Sequence, residues 1–344
     1  MKIGYSFWGF LGSGVVDTPD GGRSHRRPFV NALARQGHQL VFLQADRDRS
    51  EANDVLGYAF DAGLPDLDVL FLEWRWPIPG RNTTDCGSPG HTCDLHRQDE
   101  LLRHYTIRRR VPTVIWDKDR RLSPDDAWRQ RPGVAVCEAT LVPTPGATSL
   151  LFPADDQWLD SAAPRALAAA VRPLTLAYVG NQYDRDDEFD RYFAPAAGYF
   201  PHAVAGKWPD TGRWPHVAFL GRLGFPAAMR LYSQTLATVL LLPQRYARAG
   251  QITQRIFEAV LAGCLPLCPA EVHHSERFIP EPLLVRDGSD VVRTLRRLHA
   301  QAGTAAHTQL LAHCIARLEP FRLSTQVRVL NTLLDALVGS GAAR

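Results

Sequence analysis

The 344-residue sequence lacks the features of several classes of protein. It has only 6 cysteines, too few for a chain of this length to be a disulfide scaffold. Neither sign of charge dominates: 39 basic and 36 acidic side chains leave a net charge of +3, so no overall field attracts nucleic acid. The longest apolar runs, such as 236–243, are far too short to cross a bilayer, so we expect no membrane insertion. The first residues indicate a strand and lack a signal-peptide pattern, which predicts a cytoplasmic protein.

The composition is otherwise that of a globular protein, with 45% apolar and 22% charged residues. Short apolar strands alternate with amphipathic helices in both halves, a pattern typical of βαβ units around parallel sheets. We predict an α/β fold with two facing Rossmann-like domains, residues 1–170 and 171–322, and an interdomain cleft. A last helix in 323–344 could return to the first domain. The predicted strands cover residues 2–8, 39–44, 68–72, 112–116, 174–179, 216–220, 238–242 and 266–268. The predicted helices cover 23–36, 50–60, 95–109, 155–172, 187–197, 226–233, 252–261, 290–317 and 323–338.

One predicted helix, 252–261, combines an arginine and a glutamate at the spacing of a nucleotide site. Gly250 precedes a polar first turn, and Arg255 and Glu258 are three residues apart, on one helical face. The N-terminus of a helix attracts phosphate, and a guanidinium adds a forked cation. A carboxylate one turn later can accept hydrogen bonds from ribose hydroxyls. The helix therefore indicates a nucleoside-diphosphate site, although an exposed Arg–Glu pair on an ordinary helix is an alternative.

A second motif follows the first strand of the second half, in residues 178–185. Gly180 ends the strand, where a residue without a side chain lets a ligand approach the backbone. Arg185 could face a phosphate. A solvated loop within the charged run 184–191 is an equally good interpretation.

Two aspartates follow the strand 112–116 at its expected carboxyl end. There Asp117 or Asp119 could act as general base for an incoming hydroxyl. The alternative is a strand-end turn in which an aspartate caps the residues that follow.

The glycine-rich loop after the first strand does not match a dinucleotide-binding turn. Its glycines at 9, 12 and 14 lack the required spacing, which argues against a nicotinamide or flavin cofactor. Asp20, Arg23 and His25 lie where this loop leads into a helix. They could contact the donor or the acceptor, and Asp20 could equally well only cap the helix.

Two cysteines and two histidines lie close together at Cys86, His91, Cys93 and His96. These residue types bind zinc, but their spacing matches no standard set of ligands. The sequence therefore predicts an irregular loop and no metal.

The order of these motifs resembles the two-domain nucleotide-sugar glycosyltransferases of the GT-B fold. The second half is most similar to the bacteriophage DNA β-glucosyltransferase family, in its strand–glycine–arginine motif at 178–185 and its Ile-Thr-x-Arg-x-aromatic-Glu helix at 252–258. The resemblance implies that Arg255 meets the diphosphate, that Glu258 meets the ribose, and that Asp119, before a basic turn and a leucine, is the base. Asp187 falls near the place of the family's second diphosphate arginine. Retaining relatives often carry a glutamate eight residues before the ribose glutamate; Gly250 stands there, which implies inversion.

We therefore expect an inverting glycosyltransferase, a hexosyltransferase by class, that uses a UDP-sugar and requires no cofactor and no metal. The acceptor is open, with DNA, a natural product or a glycan as alternatives. A sugar-nucleotide epimerase and a non-catalytic sugar-nucleotide-binding protein are the alternative functions.

Overall fold

The computed structural model describes residues 1–7, 22–45 and 58–342, so Asp20 and most of the predicted helix 50–60 lie outside the described residues. The chain forms two compact units. The first consists of Met1–Pro153 together with Leu323–Arg344, and the second of Ala154–Arg322. Residues 154–170, which the sequence analysis placed in the first domain, therefore belong to the second unit. Within the described residues, no helix is both long and apolar enough to span a membrane.

The first unit is built on a seven-stranded sheet in the order β3-β2-β1-β4-β5-β6-β7. Every pairing in it is parallel. The strands are β1 (Lys2–Ser6), β2 (Gln39–Phe42), β3 (Ala59–Phe60), β4 (Val69–Glu73), β5 (Thr113–Asp117), β6 (Val134–Glu138) and β7 (Thr148–Ser149). The strand order reverses between β1 and β4, the place where doubly wound sheets bind ligands.

The helices of the first unit connect these strands. They are Arg23–Arg35, Asp94–Leu101 with a wider π-type continuation at Leu102–Arg108, the short 3₁₀ turn Ala127–Gln130, and Leu323–Ala342. The last helix is attached to the segment that follows β7, because Gln326 accepts a hydrogen bond of 2.7 Å from the Leu151 backbone N–H. It is also tied to the first helix, since Asn331 donates to the Gln36 side chain at 2.7 Å.

The second unit contains a five-stranded parallel sheet in the order β12-β11-β10-β8-β9. Its strands are β8 (Leu174–Val179), β9 (His202–Ala205), β10 (Thr235–Val239), β11 (Leu265–Pro269) and β12 (Leu284–Val285). Its α- and π-helices are Asp156–Asp160, Pro164–Ala169, Asp186–Glu188, Phe189–Phe193, Ala194–Ala197, Phe225–Ser233, Gln244–Ala249, Arg255–Leu261, Gly288–Gln301 and Ala305–Ala316. Short 3₁₀ turns lie at Ser275–Arg277, Glu281–Leu283 and Glu319–Phe321. The strand order reverses between β8 and β10, the second switch point.

The predicted α/β class with two parallel sheets is confirmed, but some elements differ. Residues 134–138 and 202–205 are strands that the sequence analysis missed, whereas 216–220 contributes only an isolated bridge from Phe219 to Val204. The predicted helix 290–317 is two helices. Gly303 takes a φ of 74° between them, and the Thr304 side chain caps the second by accepting from the His307 backbone N–H.

A buried carboxylate, Glu73, joins the carboxyl ends of three strands of the first sheet. It ends β4 and accepts a hydrogen bond of 2.5 Å from the hydroxyl of Tyr5 on β1. Arg26 donates to both of its oxygens at 3.0 and 2.8 Å. Lys118, directly after β5, lies 2.6 Å from it. Burial, followed by the charge of Glu73, raises the pKa of Tyr5, so the hydroxyl stays protonated and donates.

This network generates a prediction about stability. The side chains of Glu73 and Arg26 are completely buried, and that of Lys118 is 3% exposed. Glu73→Gln should lower the free energy of unfolding by about 3–5 kcal/mol, because two buried cations would lose their counter-charge. Urea denaturation measures this.

The matched control is Asp66→Asn. Asp66 pairs with Arg109 at 2.9 Å, but their side chains are 85% and 54% exposed. Since solvent screens such a pair, this variant should unfold almost like the parent. Equal losses in the two variants would contradict the importance of the buried network.

Candidate active site

The carboxyl end of β8 brings an arginine and a tyrosine over a bare glycine. A Cβ added at Gly180 would lie 2.5 Å from the Tyr178 hydroxyl and 2.8 Å from the guanidinium carbon of Arg255. No larger residue fits without displacing them. The backbone of Gly180 is fixed, since its N–H donates to Ala205 and its carbonyl accepts from the Trp208 indole, both at 2.8 Å. The sequence predicted that a ligand could approach the backbone at Gly180. In the structure, the side chains of Arg255 and Tyr178 lie in that space.

The helix that presents Arg255 is shorter than predicted. It spans Arg255–Leu261, so residues 252–254 precede it, and Arg255 is its first residue. Gly250 does not begin this helix. It ends the preceding helix Gln244–Ala249 in the left-handed conformation, with a φ of 61°, where a Cβ would lie 2.5 Å from the carbonyl oxygen of His273. Glu258 keeps the predicted place in the first turn.

Arg255 lies in an environment that favours its charge. Its guanidinium is 5.8 Å from the centre of the Tyr178 ring, within the range of a cation–π contact. Burial opposes the charge, but Tyr178, Tyr232 and Glu258 outweigh burial and raise the pKa of Arg255. Among the described residues, the buried Tyr178 hydroxyl has no hydrogen-bond partner. A hydroxyl and a guanidinium that converge on one point can bind an anionic ligand.

Arg185 bridges the switch point of the second sheet. It donates to the carbonyl of Leu241, beyond β10, at 3.2 Å and to those of Asn181 and Tyr183, beyond β8, at 3.3 and 2.6 Å. Burial lowers the pKa of Arg185, and the charge of Arg255 lowers it further. The two like charges are therefore close enough to repel each other, and an anion between them would relieve that repulsion.

Glu258 lies on the helix Arg255–Leu261, as Arg255 does, and it is buried. After burial, its charge is the next largest cause of the raised pKa of Tyr232. Its carboxylate therefore lies near a hydroxyl in the core of the second unit. Tyr232 is a neighbour that the sequence analysis did not identify.

The loop after β8 also borders a cavity of about 510 Å³. Its lining includes four carboxylates, at Asp184, Asp186, Asp187 and Glu188, against Arg185 and Arg245. Asp184 pairs with Arg245 at 2.7 Å. Because carboxylates dominate this wall, a phosphate is better accommodated beside Gly180 than here.

Asp117 ends β5 and is completely buried. Its two oxygens accept hydrogen bonds from the backbone N–H groups of Arg121 and Leu122, at 2.9 and 2.8 Å. Burial raises the pKa of Asp117 to about 6, although these hydrogen bonds oppose the shift. The turn-capping interpretation therefore describes its contacts, while its pKa suits a general base near neutral pH.

Asp119 lies in the same turn and is half-buried. Its charge contributes to the raised pKa of Asp117. The next residue, Arg120, has a φ of 55° and pairs with Glu138 at the end of β6. The turn is thus fixed on both sides of Asp119.

The remaining loop candidates are only partly described. Asp20 and the side chain of Arg23 lie outside the described residues. His25 is completely buried, and its ring packs edge-on against Trp116 and Phe152, at 6.0 and 4.8 Å between centroids. It lies in an aromatic core.

The structure thus brings Gly180, Arg185 and Arg255 together, with Glu258 one turn along the helix. Tyr178 completes this group, and the sequence analysis missed its role because alternation along β8 predicts only a buried tyrosine. Glu73 was missed as well, since a glutamate at a strand end carries no sign of the cations that reach it.

Comparison with known proteins bears on the fold and on part of the second unit. Residues 185–319 match the model of a family described as glycosyl transferase-like. No curated protein sequence matches the chain.

Solved structures resemble the whole chain. The T4 phage BGT structure in complex with UDP and Mn²⁺ has a TM-score of 0.63 at 12% identity, and the match covers 98% of this chain and 99% of that one. A glycosyltransferase from Rickettsia africae has a TM-score of 0.62 at 8% identity, with 98% of each chain covered. Anabaena Alr3699/HepE in complex with UDP-glucose has a TM-score of 0.57 at 10% identity, with 97% and 99% covered.

The resemblance seen in the sequence is confirmed at the level of the fold. The chain has the fold of the GT-B glycosyltransferases and contains a glycosyl transferase-like region over residues 185–319.

Proposed function

We propose that the protein is an inverting glycosyltransferase that moves a hexose from a UDP-sugar to an acceptor hydroxyl. The observation that carries the proposal is the group at the end of β8, where Arg255 and the Tyr178 hydroxyl converge on Gly180. This group lies at the switch point of a parallel sheet, where nucleotides bind in such folds. UDP or UDP-glucose is present in structures that share the fold.

In the second unit, the diphosphate would bind against Arg255. A guanidinium forms two parallel hydrogen bonds with phosphate oxygens, and the Tyr178 hydroxyl can donate a third. Arg185 would add positive charge and hold the ends of β8 and β10 in place. These charges would stabilise the leaving diphosphate with no requirement for a metal. Glu258 would accept hydrogen bonds from the ribose.

In the first unit, Asp119 is our first candidate for the base that takes the proton of the acceptor hydroxyl. It is half-buried and held in a fixed turn, while Asp117 is completely buried and caps that turn with both oxygens. Asp117 would then position the turn. An inverting displacement needs only one such base, because the acceptor attacks the anomeric carbon directly while the diphosphate leaves.

The role of Glu258 can be tested by donor affinity. Glu258→Gln keeps the volume of the side chain but removes the charged acceptor, so UDP should bind about 1–3 kcal/mol more weakly. Isothermal titration calorimetry measures this, with the exposed Glu276→Gln as control. An unchanged affinity of Glu258→Gln for UDP would remove the ribose contact from the proposal.

The role of Arg255 can be tested with two ligands. Arg255→Ala should weaken UDP binding by about 1.5–3 kcal/mol and leave uridine binding unchanged, because only UDP offers a charged partner. Arg255→Lys should recover only part of the loss, since lysine lacks the fork. Arg248→Lys, on the preceding helix, is the control. If Arg255→Ala weakened both ligands equally, no diphosphate contact could be assigned.

The base is tested by turnover. Asp119→Asn should reduce kcat by ~10²–10⁴-fold while UDP binding persists. Release of UDP from UDP-glucose, assayed with duplex DNA and with small glycan acceptors, gives the rate. Release that depends on an acceptor separates transfer from epimerisation and from binding alone.

The pH profile separates Asp119 from Asp117. If Asp117 were the base, with its pKa of about 6, kcat/KM would fall as the pH drops below that value, because the protonated carboxyl cannot accept a proton. Asp117→Asn would then abolish that limb and reduce turnover at least as much as Asp119→Asn. Such a result would transfer the role to Asp117.

A further inference from the structure

The loop between β4 and the helix Asp94–Leu101, together with His96 on that helix, brings four metal-binding side chains close together. Cys86, His91, Cys93 and His96 each offer one ligand atom, and these atoms all lie within 4.8 Å of one another. Their irregular spacing along the chain gave no sign of this. Tetrahedral zinc, with bonds of about 2.3 Å to sulfur and about 2.0 Å to nitrogen, places its ligand atoms roughly 3.3–3.8 Å apart. Only a small contraction would close the group around a metal.

Backbone turns that the spacing does not reveal bring the four residues together. Gly87 and Gly90 have φ values of 89° and 84°, so the chain reverses between Cys86 and His91. Cys93 itself takes a φ of 54°, unusual for a residue with a side chain, and directly precedes the helix that carries His96. This left-handed conformation costs free energy, and such strained residues cluster at functional sites.

The two imidazoles are oriented as metal ligands. The Nδ1 atom of His91 lies 3.1 Å from the Thr84 hydroxyl, which directs Nε2 the other way. That Nε2 atom is buried and, in the part of the chain that the structure describes, has no hydrogen-bond partner. The Nδ1 atom of His96 lies 3.1 Å from the Cys86 sulfur, as two ligands of one ion would. An outer hydrogen bond on one ring nitrogen and a vacant second nitrogen are typical of zinc-bound histidine.

We propose that Cys86, His91, Cys93 and His96 bind one zinc ion. Two thiolates balance the charge of Zn²⁺, and soft sulfur with imidazole suits zinc better than magnesium, calcium or manganese. Four protein ligands complete a tetrahedron and leave no position for substrate, so the site is structural. The predicted irregular loop is present, and the proposal replaces only the expectation that it binds no metal.

The zinc would fix the loop that follows β4. Cys86 lies in this loop, and the helix carrying His96 is attached to the sheet through Gln98, which accepts from the Arg75 backbone N–H at 2.8 Å. Arg97 of the same helix donates to the carbonyl of Leu43, beyond β2, at 2.9 Å. A zinc ion bound by both Cys86 and His96 would therefore attach the loop, through this helix, to the segments that follow β4 and β2. The proposal does not depend on the glycosyltransferase function.

The first experiment measures metal in the tag-free, full-length protein purified without chelator. Elemental analysis should give about one zinc per chain that survives dialysis. After zinc is removed under reducing conditions, added Co²⁺ should produce the visible bands of a tetrahedral ion and a sulfur-to-cobalt charge-transfer band, neither of which the zinc form has. Chelation should also lower the Tm, since the ion binds the folded chain.

Single variants locate the site. Cys86→Ser and Cys93→Ser should lose the zinc and the charge-transfer band, and His96→Gln should lose the zinc. Cys314→Ala and His313→Gln are the matched controls, because both residues lie in the helix Ala305–Ala316 of the second unit, and these variants should keep a full equivalent.

Three results would overturn the proposal. The first is a parent protein that contains no zinc and binds none when Zn²⁺ is added. The second is retention of the metal by both cysteine variants. The third is a disulfide between Cys86 and Cys93, found by mass spectrometry in protein purified under reducing conditions. If a variant fails to fold, the cobalt spectrum of the parent decides, because it reports sulfur ligands directly.

Discussion

The pairing of buried charge at the ends of parallel strands organises the first unit. β4, β5 and β6 end in Glu73, Asp117 and Glu138, and all three carboxylates are completely buried. An unpaired ion there would cost several kcal/mol, so each must be compensated. Arg26 and Lys118 pair with Glu73, backbone N–H groups bind Asp117, and arginines pair with Glu138.

The groups that compensate these three carboxylates are close to one another in the sequence. Lys118, which pairs with Glu73, follows Asp117 directly, and Arg120, which pairs with Glu138, belongs to the turn that Asp117 caps. The turn that carries Asp119 is therefore fixed by ion pairs to the neighbouring strands on both sides. A candidate base gains a defined position in this way without being completely buried.

The second unit was easier to predict than the first, because its central motif is local. Arg255 and Glu258 share a face through their spacing alone, and that spacing survives a shift of the helix start. The predicted start was wrong, because Gly250 ends the preceding helix and the next one begins only at Arg255. The sequence also does not reveal that the carbonyl of a distant residue, His273, leaves no room for a side chain at Gly250.

The sequence also does not show which distant residues come together, and this explains the errors in the first unit. The partners of Glu73 come from β1, a helix and the end of β5, so no local pattern contains them. The Cys86–His96 group depends on left-handed turns at its glycines and at Cys93. These turns bring the four side chains together although their spacing along the sequence is irregular. Periodicity in the sequence indicates which face of a helix or strand is buried. It does not indicate where a turn reverses the chain and brings side chains together.

The two sheets use the same kind of switch point in opposite ways. Between β1 and β4, the first unit fills the position with its own side chains, because Arg75 donates to the carbonyl of Phe7 and to the Ser6 hydroxyl. Between β8 and β10, the second unit places Gly180, a Tyr178 hydroxyl with no partner among the described residues, and two arginines of like charge. At the ends of β4 and β5, Arg26 and Lys118 are paired with Glu73. In the second unit, the repelling cations and the unsatisfied hydroxyl would gain from an anionic ligand. This electrostatic contrast supports our proposal that the nucleotide binds to the second unit.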